Sequence, residues 1–253
     1  MQYVRRLDRS LLDAEDFDAV NLVDNETAWV VAVGVPPGWV RPFPHVHDSD
    51  QLYWIIEGEL TVVLDGVEHV AGPSSLVCIP ARVVHKNRND GAVPELHLDL
   101  LVPAPNRFKP GSTPASEDDR GPGTGWVRTL ADATYESSHV PGFELAPLAS
   151  AASGCSSILV NAAIVAPESP GTSWHIHPFD QLHWVLQGTL HVEVADQVHD
   201  VEPDHLVVLP AGVPHRNWNP GPGLERHLAF SVPAPTDRPF DTAVSWEVGA
   251  PIA

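Results

Sequence analysis

Two sets of histidines with the same internal spacing are the residues of this sequence most able to do chemistry. His45 and His47 stand two apart, Gln51 follows four later, and His85 arrives 34 residues after that; His175, His177, Gln181 and His215 repeat the arrangement 130 residues on. On an extended strand, side chains at i and i+2 leave the same face, so each His-x-His pair presents two imidazoles to one side. Gln51, Tyr53 and Ile55 keep that parity. His85 comes five residues after Pro80, where a strand-turn-strand can bring it back to the same point. Three imidazoles and an amide oxygen converging inside a small barrel make a donor set for a divalent ion: imidazole suits Zn, Cu, Fe and Ni, and an oxygen donor admits Mn.

The elements that must position these residues are themselves repeated. His45-Val-His47-Asp-Ser-Asp-Gln51-Leu-Tyr-Trp54 aligns without a gap with His175-Ile-His177-Pro-Phe-Asp-Gln181-Leu-His-Trp184, and the register persists through Pro80–Asn89 against Pro210–Asn219. Upstream, Tyr3-Val-Arg-Arg-Leu7 matches Trp126-Val-Arg-Thr-Leu130 at a slightly smaller offset. Of the 14 histidines, ten pair in this register (His45, His47, His69, His85, His97 and their partners), far beyond chance. Pro103 to Gly125, rich in Pro, Gly and Ser, lies between the copies. The expected organisation is a domain over residues 1–108, a linker over 109–125 and a second domain over 126–253.

Within each copy the segments are short, β-branched and bounded by turn residues at spacings of about ten, as in a sandwich or barrel. The 26 prolines disfavour long helices. A single short helix is expected near Ser10 to Val20. The fold class read from these patterns is all-β.

Composition removes other classes. The net charge of −19, with two lysines among 14 basic residues, speaks against nucleic acid and anionic membranes as partners. No apolar run is long enough to span a bilayer, and the N-terminal segment lacks the apolar core of a signal peptide. The chain is therefore expected to be cytoplasmic, with Cys78 and Cys155 as reduced thiols. A phosphate-binding glycine loop and a GxSxG nucleophile elbow are both missing from the sequence.

Taken together, the His-x-His-x-x-x-Gln segment followed by Pro210-Ala-Gly212-Val-Pro-His215-Arg-Asn-Trp-Asn219 resembles the paired motifs of cupins, over nearly the whole chain. The resemblance implies two double-stranded β-helix barrels in tandem, each holding up to one divalent ion (Fe, Mn, Ni or Zn). By resemblance the ligands are His45, His47, Gln51 and His85, then His175, His177, Gln181 and His215. Two departures stand out. Both copies carry Gln where metal-binding cupins have Glu, leaving the site neutral before the cation arrives. Copy one also has Arg82 where copy two has Gly212.

Tyr53 and His183 share the ligands' face, and His97 and His227 lie on a final strand; all four are candidates to line a pocket, as proton-transfer groups if the chain is an enzyme. Trp54 and Trp184 have the opposite parity, and His69 and His199 follow turns. The resemblance implies a metal-dependent enzyme, of dioxygenase or Lewis-acid type with isomerase and cyclase chemistry included, acting on a small hydroxylated or carbonyl compound. The alternative is a non-catalytic ligand-binding module, since the same motifs are similar to the sensor barrel of arabinose-regulator-type proteins; the helix-turn-helix of those proteins has no counterpart here. The implied partner is a small molecule, and assembly as a homodimer through sheet edges is the expectation for bicupins.

Overall fold

In this computed structural model, residues 2–106, 111–116, 119, 121, 123–236 and 241–245 are described. Among them there are strands and three short 3-10 turns but no α-helix, so the all-β reading holds. The chain divides into two compact units that interleave along the sequence. One comprises Asp8–Asp132 with Ala149–Ile158, and the other Met1–Leu7, Ala133–Leu148 and Leu159–Ala253.

The first unit is built on two antiparallel sheets. Six strands run in the spatial order Trp126–Thr129, Ser75–Ile79, Asp50–Glu57, Glu95–Val102, Trp29–Val35, Asp18–Asp24; five run Thr113–Pro114, His45–Val46, His85–Arg88, Leu60–Leu64, Val67–Ala71. Val31, Val33, Tyr53, Ile55 and Ile79 from the first sheet meet Leu60, Val62 and Leu64 from the second, forming one buried cluster. Alternation along Trp29–Val35 and Asp50–Glu57 supplies that inward face. The opposite face of the large sheet, with Leu52, Trp54, Leu98 and Leu100, is buried as well. The strands therefore read as near-continuous apolar runs.

The second unit repeats the plan. Its large sheet adds Phe143–Ala149 and Glu136–Ser137 beyond Leu159–Val165, and its small sheet runs Gln197–Val201, Leu190–Val194, His215–Trp218, His175–Ile176, Thr242–Ala243. Val185, Leu190, Val192, Val194, Val207 and Leu209 form its core.

The two aligned lead segments cross over. Val4–Arg6, at the start of the first copy, pairs with His205–Leu209 of the second. Its repeat partner Trp126–Thr129 pairs with Ser75–Ile79 of the first. Each unit thus takes its edge strand from the other copy's sequence.

Three expectations require revision. The helix expected near Ser10 to Val20 is absent. Arg9–Asp13 forms a 3-10 turn capped by Asp8, whose side chain accepts from Ser10 N–H at 3.0 Å, and Asp18–Asp24 is a strand paired with Trp29–Val35. Clustered acidic residues between Asp13 and Asp18 give no apolar stripe to bury, whereas the free edge beside Trp29–Val35 offers a ladder. Second, Cys78 and Cys155 are not two separate thiols but are joined in a disulfide. Both belong to the first unit, because Ala149–Ile158 packs there. Third, the stretch read as a linker contributes structure of its own: Thr113–Pro114 pairs with His45–Val46. In the second unit Thr242–Ala243 pairs with His175–Ile176 in the same way.

Candidate metal centre

Register brings the histidines together. His45 lies directly opposite His85 across the pair formed by His45–Val46 and His85–Arg88, and His175 lies opposite His215. The turn that delivers His85 is tied to the first motif: Arg82 N–H donates to the His47 carbonyl at 2.9 Å, as Gly212 N–H does to that of His177. Arg82 and Gly212 both adopt a left-handed φ, 70° and 72°. The turn geometry is therefore the same in both copies, and copy one accommodates a non-glycine residue where glycine is the low-cost choice.

The donor atoms of His45, His47 and His85 all lie within 4.8 Å of one another, and so do those of His175, His177 and His215. Backbone carbonyls fix several rings. Val83 O stands 2.9 Å from His85 Nδ1, Val213 O 2.9 Å from His215 Nδ1, Gly111 O 2.6 Å from His47 Nδ1 and Ser173 O 2.7 Å from His175 Nδ1. A carbonyl only accepts, so in a neutral ring Nδ1 carries the proton and Nε2 keeps its lone pair. Nε2 of His47, His85 and His215 is buried without a hydrogen-bond partner among the described residues.

Burial is the main reason these rings stay neutral. It pulls His45 down to about 2, with His85 and Arg41 adding to the effect, and His85 down to about 3, with His47 assisting. His215 falls to about 3 through burial and then the neighbouring His175. Neutral imidazoles with orphaned, converging nitrogens are what a transition ion requires, and the donor set fits one.

Gln51 and Gln181 occupy equivalent places on Asp50–Glu57 and Asp180–Gln187, opposite Leu101 and Ser231 respectively. Gln51 is buried, and its Nε2 donates to both carboxylate oxygens of Asp99 at 3.0 and 2.9 Å. Its Oε1 is buried with no hydrogen-bond partner among the described residues. Burial raises the Asp99 carboxyl to about 6, although the Gln51 bond and the charges of His97 and Arg41 act in the opposite direction.

The N-terminal cluster borders a cavity of about 280 Å³ whose wall includes Trp29, Trp39, Arg41, Tyr53, His97 and Asp99. Arg41 brings a guanidinium to this wall; its Nε is buried without a hydrogen-bond partner among the described residues. His97 is buried with Nδ1 2.9 Å from Glu95 Oε2 and its ring 4.7 Å from that of Tyr53. Burial alone would lower His97, but the Glu95 carboxylate more than offsets it, so the imidazole sits above its usual value.

The second barrel differs at these positions. His227 pairs with Glu225 at 2.9 Å, and His183, in Tyr53's place, stacks on His227 at 4.5 Å. Burial and the surrounding imidazoles hold His183 well below its usual value. Ala229 faces His183 where Asp99 faces Tyr53. Arg41 N–H donates to Asn87 O, while in the second barrel Thr172 N–H donates to Asn217 O, so a neutral residue occupies that place. Beside it, Gly171 is confined by a close approach: a Cβ there would lie 2.0 Å from the Asn217 carbonyl oxygen.

Of the remaining sequence-selected residues, Trp54 and Trp184 are buried, and His69 and His199 are half-buried on hairpins outside either cluster. Residues that sequence reasoning did not select are Arg41, Asp99, Glu95, Glu225 and the Gly111 carbonyl. For Asp99 a signal existed: it shares strand parity with His97.

The sequence profile of the cupin domain matches residues 31–102 and again 162–228. Comparison with curated protein sequences gives no match. Among solved structures, the fold is similar to that of a salicylate 1,2-dioxygenase from Pseudaminobacter salicylatoxidans, with TM-score 0.68 and 15% identity over 86% of this chain and 77% of that one. A structure of a salicylate 1,2-dioxygenase adduct with gentisate gives 0.65 and 17% over 85% and 73%. AerE from Microcystis aeruginosa gives 0.64 and 12% over 91% and 97%.

Proposed function

The chain belongs to the cupin domain family, and from that premise we propose that it is a two-barrel metalloenzyme acting, by dioxygenase-type or Lewis-acid chemistry, on a small hydroxylated or carbonyl compound in the N-terminal cavity. The observation that carries this reading is the convergence of two imidazole triads in which Nε2 of His47, His85 and His215 and Nδ1 of His45 are buried without a hydrogen-bond partner among the described residues. His45, His47, His85 and Gln51 would hold one ion, and His175, His177, His215 and Gln181 a second. An Fe, Mn, Ni or Zn ion there supplies a Lewis acid, and a redox-active one also supplies a means of activating dioxygen.

The remaining roles belong to the chain itself. Arg41 binds an anionic group of the compound and sets its orientation, as a guanidinium does for a carboxylate. Trp29 and Trp39 provide an apolar wall that excludes water. His97 holds a proton against Glu95 at the cavity edge, beside Tyr53. Gentisate, found with a similarly folded dioxygenase, is a hydroxylated carboxylate and a suitable first probe.

Elemental analysis of the purified chain, alone and as His47→Ala and His177→Ala, tests the metal sites. Each variant should lose the ion of its own barrel. A chain with almost no metal, unrestored by Fe, Mn, Ni or Zn, overturns the reading. Oxygen uptake with gentisate or salicylate on the metal-loaded chain tests turnover; unchanged compound that nevertheless stays bound points to a ligand-binding protein without catalysis.

A further inference from the structure

We propose that Asp99 is a positioning residue which turns the Gln51 amide oxygen into the N-terminal cavity and lends that site a negative charge missing from the C-terminal one, so that the two barrels hold a divalent ion with unequal strength. The inference rests on the metal reading above. It begins from an elementary constraint: an ionised carboxylate only accepts hydrogen bonds. With both Asp99 oxygens 2.9–3.0 Å from Gln51 Nε2, the amide must point its NH2 at Asp99 and its oxygen away. That oxygen is then the buried Oε1, which has no partner among the described residues, on a side chain that borders the same cavity as His45 and His47.

A second observation concerns cost. Asp99 is a half-buried carboxylate on the cavity wall whose nearby cationic groups are His97 and Arg41, and a further cation held through Gln51 would lower the cost of keeping it ionised there. Passed through the Gln51 amide, its charge offsets part of the cation's, as an acidic ligand would do directly. The second barrel is a partial control: Gln181 is present and Ala229 stands in place of Asp99, but Thr172 also takes the place of Arg41, whose opposite charge only the Asp99→Asn comparison holds fixed. Outer-sphere partners of metal ligands typically change affinity about 10- to 100-fold, and this is the size of asymmetry expected between the two sites.

The test is a Zn2+ titration of the chelator-stripped full chain against a chromophoric competitor, with Co2+ absorption as a readout of the ligand set. Asp99→Asn should weaken the N-terminal site by about 10- to 100-fold and leave the C-terminal site unchanged. Ala229→Asp should tighten the C-terminal site. The double variant Gln51→Glu/Asp99→Asn moves the charge by one hydrogen bond and should restore N-terminal affinity, a rescue that a merely space-filling Asp99 would not allow. Wild-type binding with Asp99→Asn unchanged, or a double variant as weak as the single one, overturns the proposal while leaving the metal reading intact. A wild-type chain that takes up no ion at either barrel overturns both.

Discussion

Asp99 also ties the metal-free protein to pH. Burial lifts its folded-state value from 3.8 to about 6. A carboxyl raised in this way contributes stability fully below its unfolded value and loses that contribution as pH rises through the folded one. The difference amounts to roughly 3 kcal/mol. Denaturant titrations of the stripped protein should therefore show wild type losing stability relative to Asp99→Asn between pH 4 and 6. A gap between the two proteins that stays constant over that range would contradict the assignment. The comparison isolates one group: the buried imidazoles, held low, lose stability as pH falls, but they do so in both proteins. Asp99 and Arg41 were hard to pick out from sequence because each is one charged residue among many. They gain meaning only when cross-strand register sets them against Tyr53 and the imidazoles, or against Ala229 and Thr172 in the other copy.

At the scale of elements, the repeat and the strand parity of the His-x-His segments were legible because both are one-dimensional patterns. Register did the rest, placing His45 opposite His85. The short helix was misread because the ladder offered by Trp29–Val35 outweighs local preference. The turns before the last strands are a further element with a measurable role. Asn89 Nδ2 donates to Val35 O and Val93 O, and its Oδ1 accepts from Gly91 N–H; Asn219 repeats the pattern with Val165 O, Gly223 O and Gly221 N–H. Removing a buried amide leaves those carbonyls without donors, at about 1–3 kcal/mol for each unsatisfied group. Asn89→Ala and Asn219→Ala should each lower stability by about 2–3 kcal/mol, by equilibrium unfolding. Values under about 0.5 kcal/mol would show that solvent replaces the amide freely.

For the whole molecule, the sequence made two copies plain but not how the chain shares them. Nothing in spacing indicates that Val4–Arg6 completes the sheet of the second copy, or that Cys155 joins Cys78, because both depend on where a returning segment packs. Deleting residues 1–7 should accordingly lower the melting temperature of the unit containing His175, His177 and His215. The unit containing His45 should keep its own transition, since its edge strand is Trp126–Thr129. Scanning calorimetry resolves the two; equal loss from both would contradict the pairing. The crossed lead strands also order events in time. Val4–Arg6 leaves the ribosome well before its partner around Val207, which is made roughly 200 residues later, about 10–40 s at ordinary elongation rates. That segment must therefore wait for its partner, and until then the nascent chain carries an unsatisfied β-edge there.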